Sequence, residues 1–303
     1  MASLQNTQIN DTGFVQIPKG STAQRPASPS VGMLRFNTEY DSLEYYNGRR
    51  WVDPNTGLAV GAGLTSETAA RSAEEILHVF PDSADGVYWI DLPTIGPQQI
   101  YCVMDKDWDG GGWMLAMKAT RGTTFNYNSS YWTSKNTLNT SDTNLNDGDA
   151  KFHVFNYYKA KDIMARFPDV AAGGTISNSL GGWTWNEADF TEGNNWTADE
   201  FFANKGANQY LRENADVTNW AGHAGGPFSA QGGWRKYGFN LNDGARQARW
   251  GFLWNNETFP GSNDVESGVG LGSRPFYSAG DYVTCCQTYT GVRRSMRMEI
   301  FIR

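Results

Sequence analysis

Hydrophobic and polar residues alternate along the chain over short stretches, which predicts a fold rich in strands. Apolar or aromatic runs bounded by turn-forming residues cover 33–37, 43–46, 87–91, 100–104, 113–118 and 250–254, and such runs are typical of strands. The end of the chain, 293–303, places apolar and polar residues at alternate positions. This pattern predicts a half-buried strand that closes the fold.

Three segments are predicted to be helical instead. Between 72 and 80, apolar residues fall on one helix face, and Ser72 and Glu75 form a capping-box pair. A second helix is predicted over 157–167, and a third over 197–204 with a capping box of its own. The predicted apolar faces consist of Ala73, Ile76, Leu77 and Phe80 in the first helix and of Ala160, Ile163, Met164 and Phe167 in the second.

Residues 1–57 predict a separate β module. Proline-punctuated segments precede two strand-like runs, and Asn47-Gly48 predicts a type I′ hairpin turn before a returning strand at Trp51. So small a unit has little core of its own, and we expect homo-oligomerisation to stabilise it. Glycine-rich sequence then predicts a linker, assigned to 58–71, ahead of a second domain over 72–303.

The N-terminal module carries a resemblance to a known class of proteins. Residues 16–53 read QIPKGSTAQRPASPSVGMLRFNTEYDSLEYYNGRRWVD, a string that resembles the N-terminal modules of bacteriophage tail-fibre and virion adhesin proteins. The resemblance implies attachment to a virion, a homotrimer, other tail or baseplate proteins as partners, and synthesis in the host cytoplasm. The residues alone leave an unrelated β-hairpin tail open.

The start of the second domain carries another resemblance. Residues 72–92, SAEEILHVFPDSADGVYWIDL, and 100–118, IYCVMDKDWDGGGWMLAMK, are similar to the opening of the fibrinogen-related domain found in ficolins, tachylectins and, more loosely, intelectins. The resemblance implies an α+β fold of antiparallel sheets with short helices and long loops. That family pairs the cysteine of its Tyr-Cys-x-Met motif with one ahead of the first helix. Ser72 and Ala73 stand there instead, so we expect Cys102 to be unpaired.

Composition adds constraints on partners and packing. Aromatic residues make up 14% of the chain and 34 residues are glycine, which predicts loops anchored by large side chains. The tryptophans expected to act as core anchors are Trp132, Trp183, Trp185, Trp196, Trp220 and Trp234. The net charge of −7 argues against nucleic acid as a partner. No apolar run is long enough for membrane insertion, and the N-terminus lacks the pattern of a signal peptide.

Motifs for catalysis are missing from the sequence. It contains no nucleophile elbow, phosphate-binding glycine loop or zinc-protease motif, so we do not expect an enzyme. A pair of glycosidase carboxylates needs no local motif and stays open. Asp105, Asp107 and Asp109 match the first half of an EF-hand loop, but Ala116 replaces the closing glutamate. We therefore expect a polar hairpin there.

The candidate site is the segment that follows the strand 250–254. Hard oxygen ligands cluster among glycines, which suits Ca²⁺, and aromatic rings beside them suit a sugar. The predicted metal ligands are Asn256, Glu257, Asn263, Asp264, Glu266 and Asp281, and the predicted ligand-binding aromatics are Trp254, Phe276, Tyr277 and Tyr282. A solvated acidic surface loop is the alternative.

The fibrinogen-related resemblance implies more about this segment. Lectins of that family hold Ca²⁺ and their ligand in the C-terminal third, and intelectins carry an Asn/Glu pair just after the matching strand. Asn256 and Glu257 stand in the comparable place. The family's Asp-x-Asp spacing is not reproduced, which leaves the ligand set and the number of ions open.

The sequence therefore predicts a virion tail-fibre receptor-binding protein that adheres to host glycan or lipopolysaccharide through a Ca²⁺-dependent, lectin-like domain. A structural or decoration protein of the virion that binds no sugar is the first alternative. A glycan depolymerase is the second.

Overall fold

The computed structural model describes residues 12–55, 57, 59–170, 173–174, 179–212, 235–244, 246–254, 267–273, 277–283 and 293–303. Within these ranges the protein is mostly β-sheet with a few short helices, compatible with the α+β class. The chain divides into two compact units, Met1–Ala62 and Gly63–Arg303. None of the helices in the described ranges has the length and apolar character to cross a membrane.

The N-terminal unit contains a four-stranded sheet. Its strands, in spatial and chain order, are β1 (Lys19–Gly20), β2 (Leu34–Asn37), β3 (Ser42–Tyr46) and β4 (Trp51–Val52). The strands predicted over 33–37, 43–46 and at Trp51 are thereby confirmed. The predicted type I′ turn is wrong: Tyr46 pairs with Trp51, which leaves 47–50 as a longer loop. The Asn47 side chain accepts hydrogen bonds from the Arg49 and Arg50 amides and so holds this wider loop closed.

This small sheet buries its polar face and exposes its apolar one. On the buried face the Glu44 carboxylate lies 2.5 Å from the Arg25 guanidinium and 2.9 Å from that of Arg35. On the other face, Leu34 is 46% exposed and Leu43 is 42% exposed. The cross-strand partners of these leucines are aromatic, Tyr45 and Phe36. An apolar sheet face left at the surface is unusual for an isolated unit.

The larger unit contains an eight-stranded and a six-stranded sheet. The eight-stranded sheet has the order β10-β11-β9-β18-β7-β6-β5, with β8 paired to β7. Its strands are β5 (Gly86–Leu92), β6 (Gly96–Val103), β7 (Trp113–Ala119), β8 (Ala150–Lys151), β9 (Ile163–Phe167), β10 (Gly173–Gly174), β11 (Trp183–Glu187) and β18 (Met298–Ile302). The six-stranded sheet follows chain order: β12 (Gln209–Arg212), β13 (Arg235–Asp243), β14 (Arg246–Trp254), β15 (Ser267–Ser273), β16 (Tyr277–Val283) and β17 (Arg293–Ser295).

The α-helices in the described ranges are α1 (Ala73–Val79), α2 (His153–Tyr157) and α3 (Ala198–Asn204), and short 3-10 turns cover Thr22–Gln24, Ser66–Thr68 and Ser130–Trp132. The helices predicted over 72–80 and 197–204 are confirmed as α1 and α3. The Ser72 hydroxyl accepts a hydrogen bond from the Glu75 amide at 3.1 Å. This bond caps an otherwise unpaired donor at the start of α1.

The helix predicted over 157–167 is wrong. Its N-terminal end belongs to the short helix α2, and Ile163–Phe167 forms β9, with Ala160 in the connection between them. Strand β9 lies between β11 and β18, and all five of its residues are buried. A short apolar run suits a buried strand as well as a helix face, and pairing with strands distant in sequence decides between them.

The half-buried strand predicted over 293–303 is also wrong in two respects. The segment forms two strands in different sheets, β17 and β18, and every residue of β18 is buried. The polar position Glu299 is covered because its carboxylate pairs with the Arg166 guanidinium at 2.6 Å. Burial raises the pKa of Glu299, while Arg166 acts in the opposite direction. The alternation therefore marks a buried ion pair and not a solvent face.

Aromatic side chains join the two sheets of the larger unit. The Trp185 ring from β11 lies 5.6 Å from the Phe252 ring and 6.0 Å from the Trp250 ring, both on β14. Trp132, Trp183 and Trp185 are buried core anchors as predicted, Trp196 packs against the core, and Trp220 and Trp234 lie outside the described residues. Cys102 is a buried free thiol, as expected, and burial raises its pKa.

Candidate functional site

The candidate site is attached to one end of the six-stranded sheet. Trp254, the last residue of β14, lies opposite Arg235 at the start of β13 and opposite Ser267 at the start of β15. Ser267 in turn lies opposite Val283 at the end of β16. These strand ends therefore lie side by side at one end of the sheet, which we call the candidate edge.

Three segments of the chain connect strands at this same edge. Residues 213–234 join β12 to β13, 255–266 join β14 to β15, and 284–292 join β16 to β17. All of these segments lie outside the described residues. They include the asparagine- and acid-rich segment that sequence analysis selected, together with Cys285 and Cys286. Antiparallel pairing thus attaches segments far apart in sequence side by side.

Most of the predicted site residues belong to these undescribed segments. Asn256, Glu257, Asn263, Asp264, Glu266 and Phe276 lie outside the described residues. The backbone of Trp254 is in β14, and the backbones of Asp281 and Tyr282 are in β16 opposite Val269 and Gly268. The structure thus brings Trp254, Asp281 and Tyr282 to the same end of the sheet.

Tyr277 lies apart from this group. It is the first residue of β16 and pairs with Ser273, whereas the candidate edge is at Val283. At roughly 3.3 Å per residue, the two ends of β16 are about 20 Å apart. Tyr277 therefore lies at the opposite end of the sheet from Trp254.

A row of glycines crosses the sheet just behind this edge, and sequence analysis missed it. Gly238 pairs with Gly251, Gly251 with Gly270, and Gly270 with Gly280. Gly270 has φ of +131°, and a Cβ there would lie 2.4 Å from the Trp250 carbonyl oxygen. The strands that carry the site therefore approach more closely than side chains would permit. The sequence signal that could have revealed this row is the glycine inside each of these strands.

The aspartate turn that competed for Ca²⁺ in the sequence connects β6 and β7, which confirms the predicted polar hairpin. The Asp107 amide donates to the Asp105 carboxylate at 3.0 Å. The Asp109 carboxylate pairs with the Arg303 guanidinium at 2.8 Å. This turn is held by internal contacts and by the last residue of the chain.

Another oxygen-rich loop, which sequence analysis missed, surrounds a buried ammonium group. Lys118 on β7 is 1% exposed in its side chain and lies 2.9 Å from the Asp142 carboxylate. Its Nζ also donates to the Asn144 carbonyl oxygen at 2.7 Å and to the Asn146 side chain. The hydrogen bond from Lys118 lowers the pKa of Asp142.

The spacing of this loop was the available signal. Asp142, Asn144 and Asn146 occupy alternate positions, as the first ligands of calcium loops do. In this protein a lysine ammonium occupies the centre of the oxygen cradle. Within the described ranges, no three His, Cys, Asp or Glu side chains come together as metal ligands.

Comparison with protein-family models gives no match, and comparison with curated proteins gives no significant match.

Proposed function

We propose that this protein is a tail-fibre receptor-binding protein of a virion, synthesised in the host cytoplasm, that adheres to host surface glycan or lipopolysaccharide. Adhesion uses a Ca²⁺-dependent, lectin-like site in the larger unit. The resemblances of residues 16–53 to phage fibre modules and of residues 72–118 to fibrinogen-related lectins support this proposal. Other tail or baseplate proteins are the proposed partners of the N-terminal unit.

The observation that carries the proposal is the attachment of three connecting segments at one end of the six-stranded sheet. Variable connections on a rigid sheet are a common way to build a recognition surface. Here the register of β13 to β16 fixes their attachment points side by side. The sheet is held rigid by the aromatic core, in which Trp250 and Phe252 contact Trp185.

Ca²⁺ fits the chemistry of the oxygen donors in the segment that follows β14. Glu257, Asp264 and Glu266 offer carboxylates, and Asn256 and Asn263 offer amide oxygens, which are the hard ligands that Ca²⁺ takes. These residues would hold the ion, and the ion would bind sugar hydroxyls. Trp254 on β14 and Tyr282 on β16, the two strands that flank β15, are the proposed contacts for the apolar side of the sugar.

The exposed apolar face of the N-terminal sheet supports the proposed homotrimer. Leu34 and Leu43 place aliphatic side chains at its surface, and burial of such a face against other copies is stabilising. Three copies would present three glycan sites, so weak single sites would gain avidity.

The experiment is a melting and binding series on the full chain. Saturating Ca²⁺ should raise the melting temperature by roughly 5–10 °C, given about 2.7 kcal/mol at a hundredfold excess over Kd. Binding to host lipopolysaccharide or to a glycan array should be lost in EDTA. Glu257→Ala and Asp264→Ala should each abolish the Ca²⁺-dependent binding.

The matched control is Asp107→Ala, which removes a carboxylate from the other aspartate-rich loop and should leave binding unchanged. Absence of both a Ca²⁺ shift and glycan binding would favour the structural or decoration protein. Release of sugar products from the bound glycan would favour the depolymerase. Binding that persists in both variants would show that the ion lies elsewhere.

A further inference from the structure

A cleft in the larger unit is lined by residues that do not belong to the six-stranded sheet. It has a volume of about 220 Å³ and lies between the β5–β6 hairpin, the loop around 140–143 and the start of α2. Trp89 and Gln99 form a cross-strand pair on one side of it. Thr140, Ser141 and Thr143 form the facing wall.

The chemistry of the lining is neutral and mixed. Aromatic or apolar surface from Trp89 and Phe152 lies beside hydroxyls and amides. Within the described chain the lining carries no carboxylate, ammonium or guanidinium. His153 is its titratable group, and burial lowers the pKa of that imidazole, so the ring is neutral at pH 7. Such a surface suits an uncharged ligand with hydroxyl groups on an apolar ring.

An open strand edge adds backbone donors and acceptors. Strand β6 pairs with β5 along its whole length but with β7 only through Cys102 and Val103. Within the described chain, residues 96–101 therefore have no strand partner on the side of the cleft. The buried Nδ1 of His153 also lacks a hydrogen-bond partner in the described chain. Unpaired polar groups at a cleft favour a ligand that hydrogen-bonds to them.

The facing wall is held in place by the lysine-centred loop. Asp142, between two wall residues, pairs with the buried Lys118 ammonium at 2.9 Å. The base of the same loop is closed by the bridge between Leu138 and Lys151. The wall is thus preorganised by a protein cation, and it needs no metal ion to keep its shape.

We propose that this cleft is a second, Ca²⁺-independent binding site for a neutral saccharide of about one ring. Its volume is below the roughly 300–1,000 Å³ of drug-sized ligand sites, which favours a single sugar unit over an extended peptide added to the strand edge. Trp89 contacts the sugar ring, and the β6 edge with Ser141 and the neighbouring threonines binds its hydroxyls.

The test uses the full chain in EDTA, which silences the Ca²⁺ site proposed above. Glucose, galactose, mannose and N-acetylglucosamine are the probes. Saturation-transfer NMR and titration measure their binding. At least one should bind in EDTA. Trp89→Ala should weaken that binding roughly tenfold by removing the central aromatic contact. Ser141→Trp should abolish it by filling the cleft.

Two matched controls separate contact from general damage. Val87→Ala changes an exposed residue on the same strand and face, outside the lining. Thr123→Trp adds the same bulk at an exposed position elsewhere. Both should leave EDTA-resistant binding unchanged, and circular dichroism should show all variants folded.

The result separates this site from the proposed function. Sugar binding that is lost in Glu257→Ala, retained in Trp89→Ala and absent in EDTA would overturn the cleft while supporting the Ca²⁺ site. EDTA-resistant binding that none of the cleft variants changes would also overturn it. Binding of a soluble alternating Thr/Val peptide in place of the sugars would reassign the cleft to strand addition.

Discussion

At the scale of single residues, the buried ammonium of Lys118 is the contact with the clearest energetic consequence. Lys118→Met keeps the bulk of the side chain but removes the cation from the oxygen cradle of Asp142, Asn144 and Asn146. We expect a loss of about 2 kcal/mol in the free energy of unfolding. This is below the usual cost of breaking a buried pair, because water can reach the exposed loop oxygens.

The effect of Lys118→Met on the free energy of unfolding should depend on pH in a defined direction. Lys118 lowers the pKa of Asp142 from its ordinary value of 3.8. The ion pair therefore contributes its full stabilisation of the folded state at pH values above 3.8. The contribution is lost as the pH falls through the lowered pKa. The difference in unfolding free energy between wild type and Lys118→Met should be constant near neutrality and shrink in acid. Urea unfolding across pH, with exposed Lys161→Met as the control, measures it.

A difference that stays constant down to strong acid would contradict the role of the pair. Sequence analysis missed this contact for a physical reason. The accepting oxygens of Asn144 and Asn146 lie 26 and 28 residues beyond Lys118, and only the packing of the loop against β7 brings them together. A lysine in an otherwise apolar strand was visible, but its partner was not.

At the scale of elements, the glycine row sets how closely the strands of the six-stranded sheet approach. Gly270→Ala places a Cβ 2.4 Å from the Trp250 carbonyl oxygen, so β14 and β15 must separate. We expect a loss of about 1–3 kcal/mol in the free energy of unfolding. Because the candidate site is attached to these strands, Ca²⁺-dependent glycan binding should weaken as well.

Gly86→Ala is the matched control, since a Cβ there meets nothing closer than 3.9 Å. Thermal unfolding measures the loss of stability, and a glycan-binding assay measures the weakening of the candidate site. A Gly270→Ala protein as stable as wild type would show that the strands tolerate the added methyl group.

Elements with strong local patterns were predictable from the sequence. Helix α1 has its cap and its apolar face within a few residues, and β5 and β6 are separated by a short turn. Strand β9 was not predictable in this way, because one of its two partner strands, β18, is more than a hundred residues away in the sequence. For the same reason, the polar positions of β18 predicted a solvent-exposed face, although Glu299 is in fact paired with the buried guanidinium of Arg166.

At the scale of the whole molecule, the exposed apolar face of the N-terminal sheet bears on assembly. Leu34→Glu combined with Leu43→Glu introduces charges onto that face and should prevent association of copies. The measured mass should fall from that of the proposed trimer to that of the monomer. Light scattering after gel filtration measures it.

Leu64→Glu, at a position 62% exposed in the larger unit, is the control and should not change the mass. A double variant that keeps the wild-type mass would place the interface elsewhere. The sequence indicated oligomerisation from the small size of the unit, but it did not show which face lies outward. That depends on the burial of Arg35 and Glu44 on the other side.

The location of the candidate site was partly predictable as well. The oxygen-rich segment stood out in the sequence, but its neighbours at the sheet edge did not. The strand ends to which 213–234, 255–266 and 284–292 attach lie together only because antiparallel strands return to the same end of the sheet. The same register separates Tyr277 from the group.

The placement of these connections has a consequence for variation. The strands beneath them carry the aromatic core, whereas β18, which completes the eight-stranded sheet, takes no part in the edge. In the described residues, the buried aromatic side chains of this sheet, Trp250 and Phe252 among them, lie on the strands themselves. A scaffold of this kind can change what it recognises through substitutions and insertions in its connections while the core residues of its strands are kept.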